Sequence, residues 1–431
     1  MRAKTLGKAL LAISPIIVML TIYLAGSVIA GDFYKIPISV AFLVASVYAI
    51  LITRGASLDL RIETFSQGAA NPRLLLMTWI FILAGAFAAL AKAMGAVDAT
   101  VAFTLHFVPE NFLPVGIFLA ACFISVAVGT SVGTIVALTP IATTLSAQIG
   151  YDTAWLVAVV VGGAFFGDNL SFISDTTIAA TQTQGCSMRD KFRTNFLLVL
   201  PAALATIAIY LFMGIETGVT GNNDLIPGDI IKMLPYLLVI VTALAGVNVL
   251  VVLTIGIIAT GIIGVCTQSF DIVSAFTAAG GGISSMGDLI IVTLLAGGLL
   301  EMLNKGGGMG YIIRLVTYRI RSKRSAEFSI ILLTALSNLC TANNTIAILS
   351  TGEIASKISK EFGIAPRRVA SLMDTTSCFV QGIIPYGAQI LIAAGLAHIT
   401  PVAIIPNLYY PAFIGAMVVV SILLQLPKCN K

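Results

Sequence analysis

Apolar residues follow one another along this chain in blocks long enough to cross about 30 Å of hydrocarbon, roughly 17 to 25 residues each. The simplest blocks cover 9–30, 36–53, 74–91, 153–185, 195–213, 231–244, 247–265, 286–303, 369–397 and 403–425. They leave almost no room for a soluble domain. Two further stretches, 113–150 and 328–356, do not fit a single crossing. The first would be about 55 Å long as one helix, and Gly129-Thr-Ser-Val-Gly-Thr134 interrupts its middle. The second is broken by Cys340-Thr-Ala-Asn-Asn-Thr345. Each is either an overlong crossing or a re-entrant hairpin that enters and leaves on one side.

Charge placement separates these two readings, because cytoplasmic loops carry the excess of Lys and Arg. With both stretches as hairpins and the N-terminus inside, 21 of the 24 basic residues face the cytoplasm, leaving Lys35, Lys92 and Lys232 outside. With both as crossings the split is 13 to 11. The hairpin reading therefore wins, and it puts both termini in the cytoplasm. One hairpin combined with one crossing would break the symmetry that follows.

Two hairpins leave ten crossings, five in each half, and an odd number per half inverts the second half relative to the first. That parity belongs to an inverted-topology repeat, from which many secondary transporters build two access states around one site. The fold class expected is an all-α integral membrane protein of two inverted repeats, 1–229 and 230–431. The first holds a hairpin at 113–150 and a broken helix at 153–185; the second holds a hairpin at 328–356 and a broken helix at 369–397. Short echoes support the repeat: Thr130-Ser-Val-Gly-Thr134 resembles Thr341-Ala-Asn-Asn-Thr345, and a loop at Phe65-Ser-Gln-Gly68 resembles one at Phe276-Thr-Ala-Ala-Gly280.

Composition narrows the class further. Hydrophobic residues make up 58% and DEKR 10% of the 431 residues, and mean hydropathy is +1.02, whereas soluble domains run near 25% charged. The formal charge of +5 comes with no basic patch interleaved with aromatics, so no nucleic-acid partner is expected; the partners are membrane lipid and small cations, with a homodimer as the assembly such a chain allows. The six cysteines are scattered singly without CxxC and read as reduced packing residues. Residues 1–31 resemble a secretory signal, with Arg2, Lys4 and Lys8 before an apolar run, but that run is too long for an h-region and reads as a first spanning helix.

Ion chemistry is expected where the helices break. Phe166-Gly-Asp-Asn-Leu-Ser-Phe-Ile-Ser-Asp-Thr-Thr177 lies in one broken crossing; Asp374-Thr-Thr-Ser-Cys378 and Gly382-Ile-Ile-Pro-Tyr-Gly-Ala-Gln389 lie in the other. Unwound carbonyls, half-helix ends, carboxylates and hydroxyls are the hard oxygen ligands a dehydrated Na⁺ needs. Asp168, Asp175 and Asp374 lead as Na⁺ ligands, since an ionisable group inside a span costs roughly 2.5–3.5 kcal/mol even on the milder insertion scale. Asn169, Ser171, Ser174, Thr176 and Thr375 join them. The dull alternative is helix capping, which suits Asp175 in Ser174-Asp-Thr-Thr177 best. At the hairpin tips Thr130, Ser131 and Thr134 face a counterpart set of Thr341, Asn343, Asn344 and Thr345, which could also hold a carboxylate substrate.

The run Gly162-Gly-Ala-Phe-Phe-Gly-Asp-Asn-Leu-Ser-Phe-Ile-Ser-Asp-Thr-Thr177 closely resembles the signature of the NhaC family of Na⁺/H⁺ antiporters, and the hairpins and broken helices resemble the wider ion transporter superfamily. Many members have a proline where this chain has Phe172 and a basic residue where it has Asn169. The resemblance implies exchange of Na⁺ (or Li⁺) for H⁺ across the bacterial inner membrane, with these ions as cargo and no cofactor. The family also resembles exchangers that couple Na⁺ to malate or lactate, the alternative substrate class. Glu301 beside Lys305 reads as an interfacial residue that snorkels, and His106 and His398 lack partners at metal-ligand spacing. Gly306-Gly-Gly-Met-Gly310 reads as a turn. No HExxH, no GxSxG within a span and no intramembrane Ser paired with His or Lys supports an enzyme.

Overall fold

A computed structural model describes residues 3–30, 37–53, 56–107, 109–171, 174–213, 229–245, 247–317 and 320–427. Among them all regular structure is helical. The first half comprises α1 (Ala3–Ala30), α2 (Ile38–Ile52), α3 (Leu58–Ala69), α4 (Pro72–Met94), α5 (Ala96–Phe107), α6 (Leu113–Val128), α7 (Ser131–Ile149), α8 (Thr153–Leu170), α9 (Asp175–Gln184) and α10 (Met188–Met213). The second comprises α11 (Asp229–Leu244), α12 (Val249–Cys266), α13 (Ile272–Ser285), α14 (Gly287–Lys305), α15 (Gly308–Thr317), α16 (Lys323–Thr341), α17 (Asn344–Glu361), α18 (Pro366–Ile383), α19 (Ala388–Ala397), α20 (Pro401–Ile404) and α21 (Tyr409–Leu424).

Seven helical stretches among the described residues are long and apolar enough to cross a membrane, eight if the bent pair α20–α21 counts as one, and the chain is a multi-pass membrane protein. The expected crossings at 9–30, 36–53 and 231–244 contribute shorter apolar helical stretches among the described residues, Leu11–Tyr23 within α1, Ile38–Ile52 and Ile230–Thr242. Lipid-facing sides are easily recognised. On α2, Val40, Leu43, Val44, Val47 and Leu51 are exposed while Ala41, Phe42, Ala45 and Ala49 are buried, so the helix is apolar on both its outer and its inner face, with the alanines turned inward. In contrast α8 is enclosed: Val157, Ala158, Val159, Val160 and Val161 are all 0% exposed.

Two segments expected to be loops are helices. The Phe65–Gly68 segment lies in α3 and the Phe276–Gly280 segment in α13. Asp271 caps α13 by accepting from Ser274 N, and Ser57 caps α3 by accepting from Leu60 N. At 12 and 14 residues both are too short to be found by a search for long apolar runs. Glycines let them pack closely: a Cβ on Gly85 of α4 would lie 2.3 Å from Gly282 O of α13, and one on Gly68 of α3 would lie 2.4 Å from Gly297 O of α14. Helix crossings at such contact need small residues on both sides.

Local chemistry explains the breaks. α6 ends on Gly129 at φ 73°, a left-handed cap, and Thr130 then turns the chain into α7, which packs back on α6. α16 ends on Ala342 at φ 48°, a conformation an alanine adopts at a cost of roughly 1–2 kcal/mol. Asn343 then caps α17, its side chain accepting from Ile346 N, and α17 packs on α16. α8 stops at extended Ser171 and α9 restarts after extended Ser174. α18 stops at Ile384, which Pro385 forces out of helical geometry, and α19 restarts after Gly387. The second helix pair is longer than the 328–356 expected from apolar residues because polar turns at Lys323–Ser325 and Ser359–Glu361 extend it.

Helix starts recur at one fixed spacing. α7 and α17 start at Ser131 and Asn344, α8 and α18 at Thr153 and Pro366, α9 and α19 at Asp175 and Ala388, 213 residues apart each time. Packing follows suit: α3 lies on α14 and α13 on α4, α2 on α14 and α12 on α4, α5 on α11 and α15 on α1.

Candidate cation site at the helix breaks

Asp168 lies in the last turn of α8, buried, and its carboxylate collects donors from three separate breaks. Ser174 Oγ, from the gap before α9, donates to Oδ1 at 2.5 Å. Ser131 Oγ, in the first turn of α7, donates to Oδ2 at 3.0 Å, and Asn344 Nδ2, in the first turn of α17, approaches the same oxygen at 3.5 Å. Both helix-pair tips and the broken helix therefore converge on one carboxylate. Charge-assisted bonds of this kind are roughly twice as strong as neutral ones. Around this centre Ser174 Oγ pairs with Thr176 Oγ1 at 2.9 Å, and Ser131 Oγ accepts from Gln389 Nε2 at 3.1 Å. Gln389 Oε1 in turn accepts from Gln381 Nε2, which also donates to Ala342 O at the α16–α17 turn.

A second network lies behind the first. Asp374 of α18 is 0% exposed, and its carboxylate pairs with the Lys191 ammonium. Lys191 Nζ also donates to Asn169 O at 2.7 Å and to Thr177 Oγ1 at 2.8 Å. Asn195, one turn further along α10, bonds the Asn169 side chain through Nδ2, while its Oδ1 accepts from Ser371 Oγ at 2.6 Å and Thr375 Oγ1 at 2.8 Å. Asn169 and Thr375 thus join α8, α10 and α18 in one polar seam.

The remaining residues expected at the site serve their own turns. Thr134 Oγ1 donates to Thr130 O, and Thr341 Oγ1 to Asn343 O. Thr345 N donates to Asn344 Oδ1, and Ser171 closes α8 by donating N–H to Gly167 O. Asp175 is exposed in the first turn of α9, where a negative charge suits the helix dipole, and the capping position is held by Ser174.

Two basic residues expected in cytoplasmic loops are instead buried. Lys191 is 1% exposed, and Arg368 is 3% exposed in a bidentate pair with Glu327, Nε to Oε1 at 2.5 Å and Nη2 to Oε2 at 3.2 Å. Both lie in first turns of helices, at Met188 and Pro366, where an amphipathic start resembles a loop. The i, i+4 spacing of Lys191 and Asn195 was the available signal that one helix face turns inward. Gln381, Gln389, Ser371 and Thr177 also escaped a reading centred on acids and tips. Glu301, by contrast, is partly exposed and lies 3.8 Å from Lys305.

A polytopic helical membrane protein whose helix ends meet at a buried carboxylate fits one class, a transporter. The chain belongs to the Na⁺/H⁺ antiporter family, whose model matches residues 3–215 and 225–426. It is 25% identical over 389 residues to the Na⁺/H⁺ antiporter NhaC of Bacillus subtilis (strain 168), covering 82% of this chain and 84% of that one. The NhaC of Alkalihalophilus pseudofirmus is 26% identical over 356 residues, covering 72% and 74%. The malate-2H⁺/Na⁺-lactate antiporter of Bacillus subtilis (strain 168) is 22% identical over 428 residues, covering 91% of each.

Proposed function

We propose that this chain exchanges Na⁺ (or Li⁺) for H⁺ across the bacterial inner membrane by alternating access, with Asp168 as the group that holds either ion. The observation that carries the reading is the convergence on Asp168 of Ser131, Ser174 and Asn344, from three different breaks. A carboxylate among hydroxyl and amide oxygens offers hard ligands to Na⁺ and a base to a proton. Since one carboxylate cannot hold both, binding of one ion expels the other, and exchange follows. The α6–α7 and α16–α17 pairs act as re-entrant hairpins, and the two halves as inverted repeats. Support comes from the recurring helix starts and from two equivalent bonds: Ser125 Oγ to Ala164 O and Asn338 Nδ2 to Ser377 O, each linking a hairpin limb to its broken helix. The bias of Lys and Arg favours both termini in the cytoplasm.

Na⁺-coupled exchange of small organic acids is the second reading, favoured by likeness to the malate/lactate exchanger along 91% of both chains. Against it, the buried cations Lys191 and Arg368 are already matched to carboxylates, leaving neither free to hold an organic anion. Everted vesicles or proteoliposomes with a preset acid-inside ΔpH separate the two. Added Na⁺ should dissipate the gradient with no organic solute present, and apparent Na⁺ affinity should weaken as pH falls because protons compete for the same carboxylate. Silence with Na⁺ and Li⁺ from pH about 6 to 9, and transport only after malate or lactate is supplied, would overturn the antiporter reading.

A further inference from the structure

Lys191 is matched to its surroundings with unusual completeness. An ammonium carries three donors and no acceptor, and Nζ here meets three acceptors: Asn169 O, Thr177 Oγ1 and the Asp374 carboxylate. Each acceptor comes from a different element. Asn169 lies next to last in α8, so its carbonyl is one of those a helix C-terminus leaves without a partner inside the helix. Thr177 stands in the first turn of α9, just beyond the break. Asp374 lies midway along α18. A freed carbonyl, a hydroxyl and a carboxylate at a broken span are the same donor chemistry that a dehydrated monovalent metal cation takes.

Nothing in this cradle requires a lysine to complete its hydrogen bonding, since Asn195 Nδ2 also reaches Asn169 O at 2.8 Å and Thr177 Oγ1 itself donates toward Asp374 Oδ2 at 3.4 Å. What the cradle lacks without Lys191 is one positive charge. The seam of Asn195 with Ser371 and Thr375 fixes that end of α10 against α18, so that the ammonium has one position.

We infer that the set of Asn169 O, Thr177 Oγ1 and Asp374 is a second cation site, and that Lys191 fills it as a tethered resident cation. Asp374 is thereby withdrawn from ion exchange, and the chain binds a single exchangeable Na⁺. The count of one rests on the reading of Asp168 above; the filling of the second site does not.

Equilibrium ²²Na⁺ binding to the purified full chain in detergent, with choline as the balancing cation, tests this. Wild type should hold one Na⁺ per chain. Lys191→Met removes the ammonium and leaves the carboxylate, and its stoichiometry should rise to two. The double variant Lys191→Met with Asp374→Asn should return to one. Recovery of folded Lys191→Met with Na⁺ or Li⁺ but not choline would support the same conclusion. A folded Lys191→Met chain that gains no Na⁺ over wild type, or one that fails to fold even in high Na⁺, overturns it, because Na⁺ then does not take the ammonium's place. If wild type binds no Na⁺, the reading of Asp168 fails, while a gain of one in Lys191→Met still reports the resident-cation site.

Discussion

Replacing Asp168 by Asn removes one negative charge while keeping shape, and the geometry sets what should follow. The amide oxygen can still accept from Ser174 or Ser131, so one of the two short bonds, 2.5 and 3.0 Å in the wild type, survives. Folding should therefore hold. Ion binding should not: unit charges 4 Å apart at an effective dielectric of 20 attract by about 4 kcal/mol, and a directly ligated Na⁺ sits closer. At 1.4 kcal/mol per tenfold, that is a loss of about a thousandfold in Na⁺ affinity. An amide also accepts no proton in the physiological range, so both halves of the exchange fail together. The assay is Na⁺-driven ΔpH in proteoliposomes at matched protein content, with monodispersity and melting temperature as controls. Transport surviving with an apparent Na⁺ affinity within tenfold of wild type would refute the assignment and leave Asp168 as a structural acceptor for the two hairpin tips.

Arg368→Met strands the fully buried Glu327 carboxylate, bonded otherwise, among the described residues, to Gln425 Nε2 alone, and should cost about 3–5 kcal/mol with a lowered melting temperature; adding Glu327→Gln should restore most of it, and no recovery would show that Arg368 acts through its bonds to Ser421 O and Leu426 O instead. Topology is checked on a cysteine-free background: Gln148→Cys, exposed at the end of α7, should react from outside the cell, and Lys357→Cys, exposed on α17, from inside. Either one reacting from the opposite face removes that re-entrant hairpin.

Much of the architecture was legible because membrane crossing needs long apolar runs, and because a run too long for the bilayer must break where Gly129 or Asn343 allows it. The breaks at Ser171–Ser174 and Ile384–Gly387 were visible for the same reason: polar residues and Pro385 interrupt an apolar span. Helices α3 and α13 were hidden, since their packing depends on glycine contacts across about two hundred residues, such as Gly85 with Gly282, and no local pattern encodes a distant partner. Asp168 could be picked from its setting as an acid within a span. Lys191 was far less legible: beyond its i, i+4 spacing to Asn195, a lysine three residues into a helix reads as an interfacial charge unless the carboxylate that receives it, 183 residues away, is known.

The proposed repeat relation also explains why two similar halves need not bind ions alike. At the spacing of 213 that relates α8 to α18, Asp168 corresponds to Gln381, Ser131 to Asn344, and the capping Thr130 to the capping Asn343. Where the first half presents a carboxylate to its hairpin tip, the second presents an amide whose Nε2 donates to Ala342 O at 3.0 Å and to Gln389 Oε1 at 2.9 Å. That amide satisfies the freed carbonyl without a charge, as Lys191 satisfies Asn169 O with one. Both substitutes are fixed to the chain and cannot be exchanged with solvent. On the proposed reading the exchangeable charge is left to Asp168, in contact with the tips of both helix pairs, so that loading one ion on this carboxylate would change the bonds of Ser131 and Asn344 at once, and with them the two elements proposed to move in alternating access.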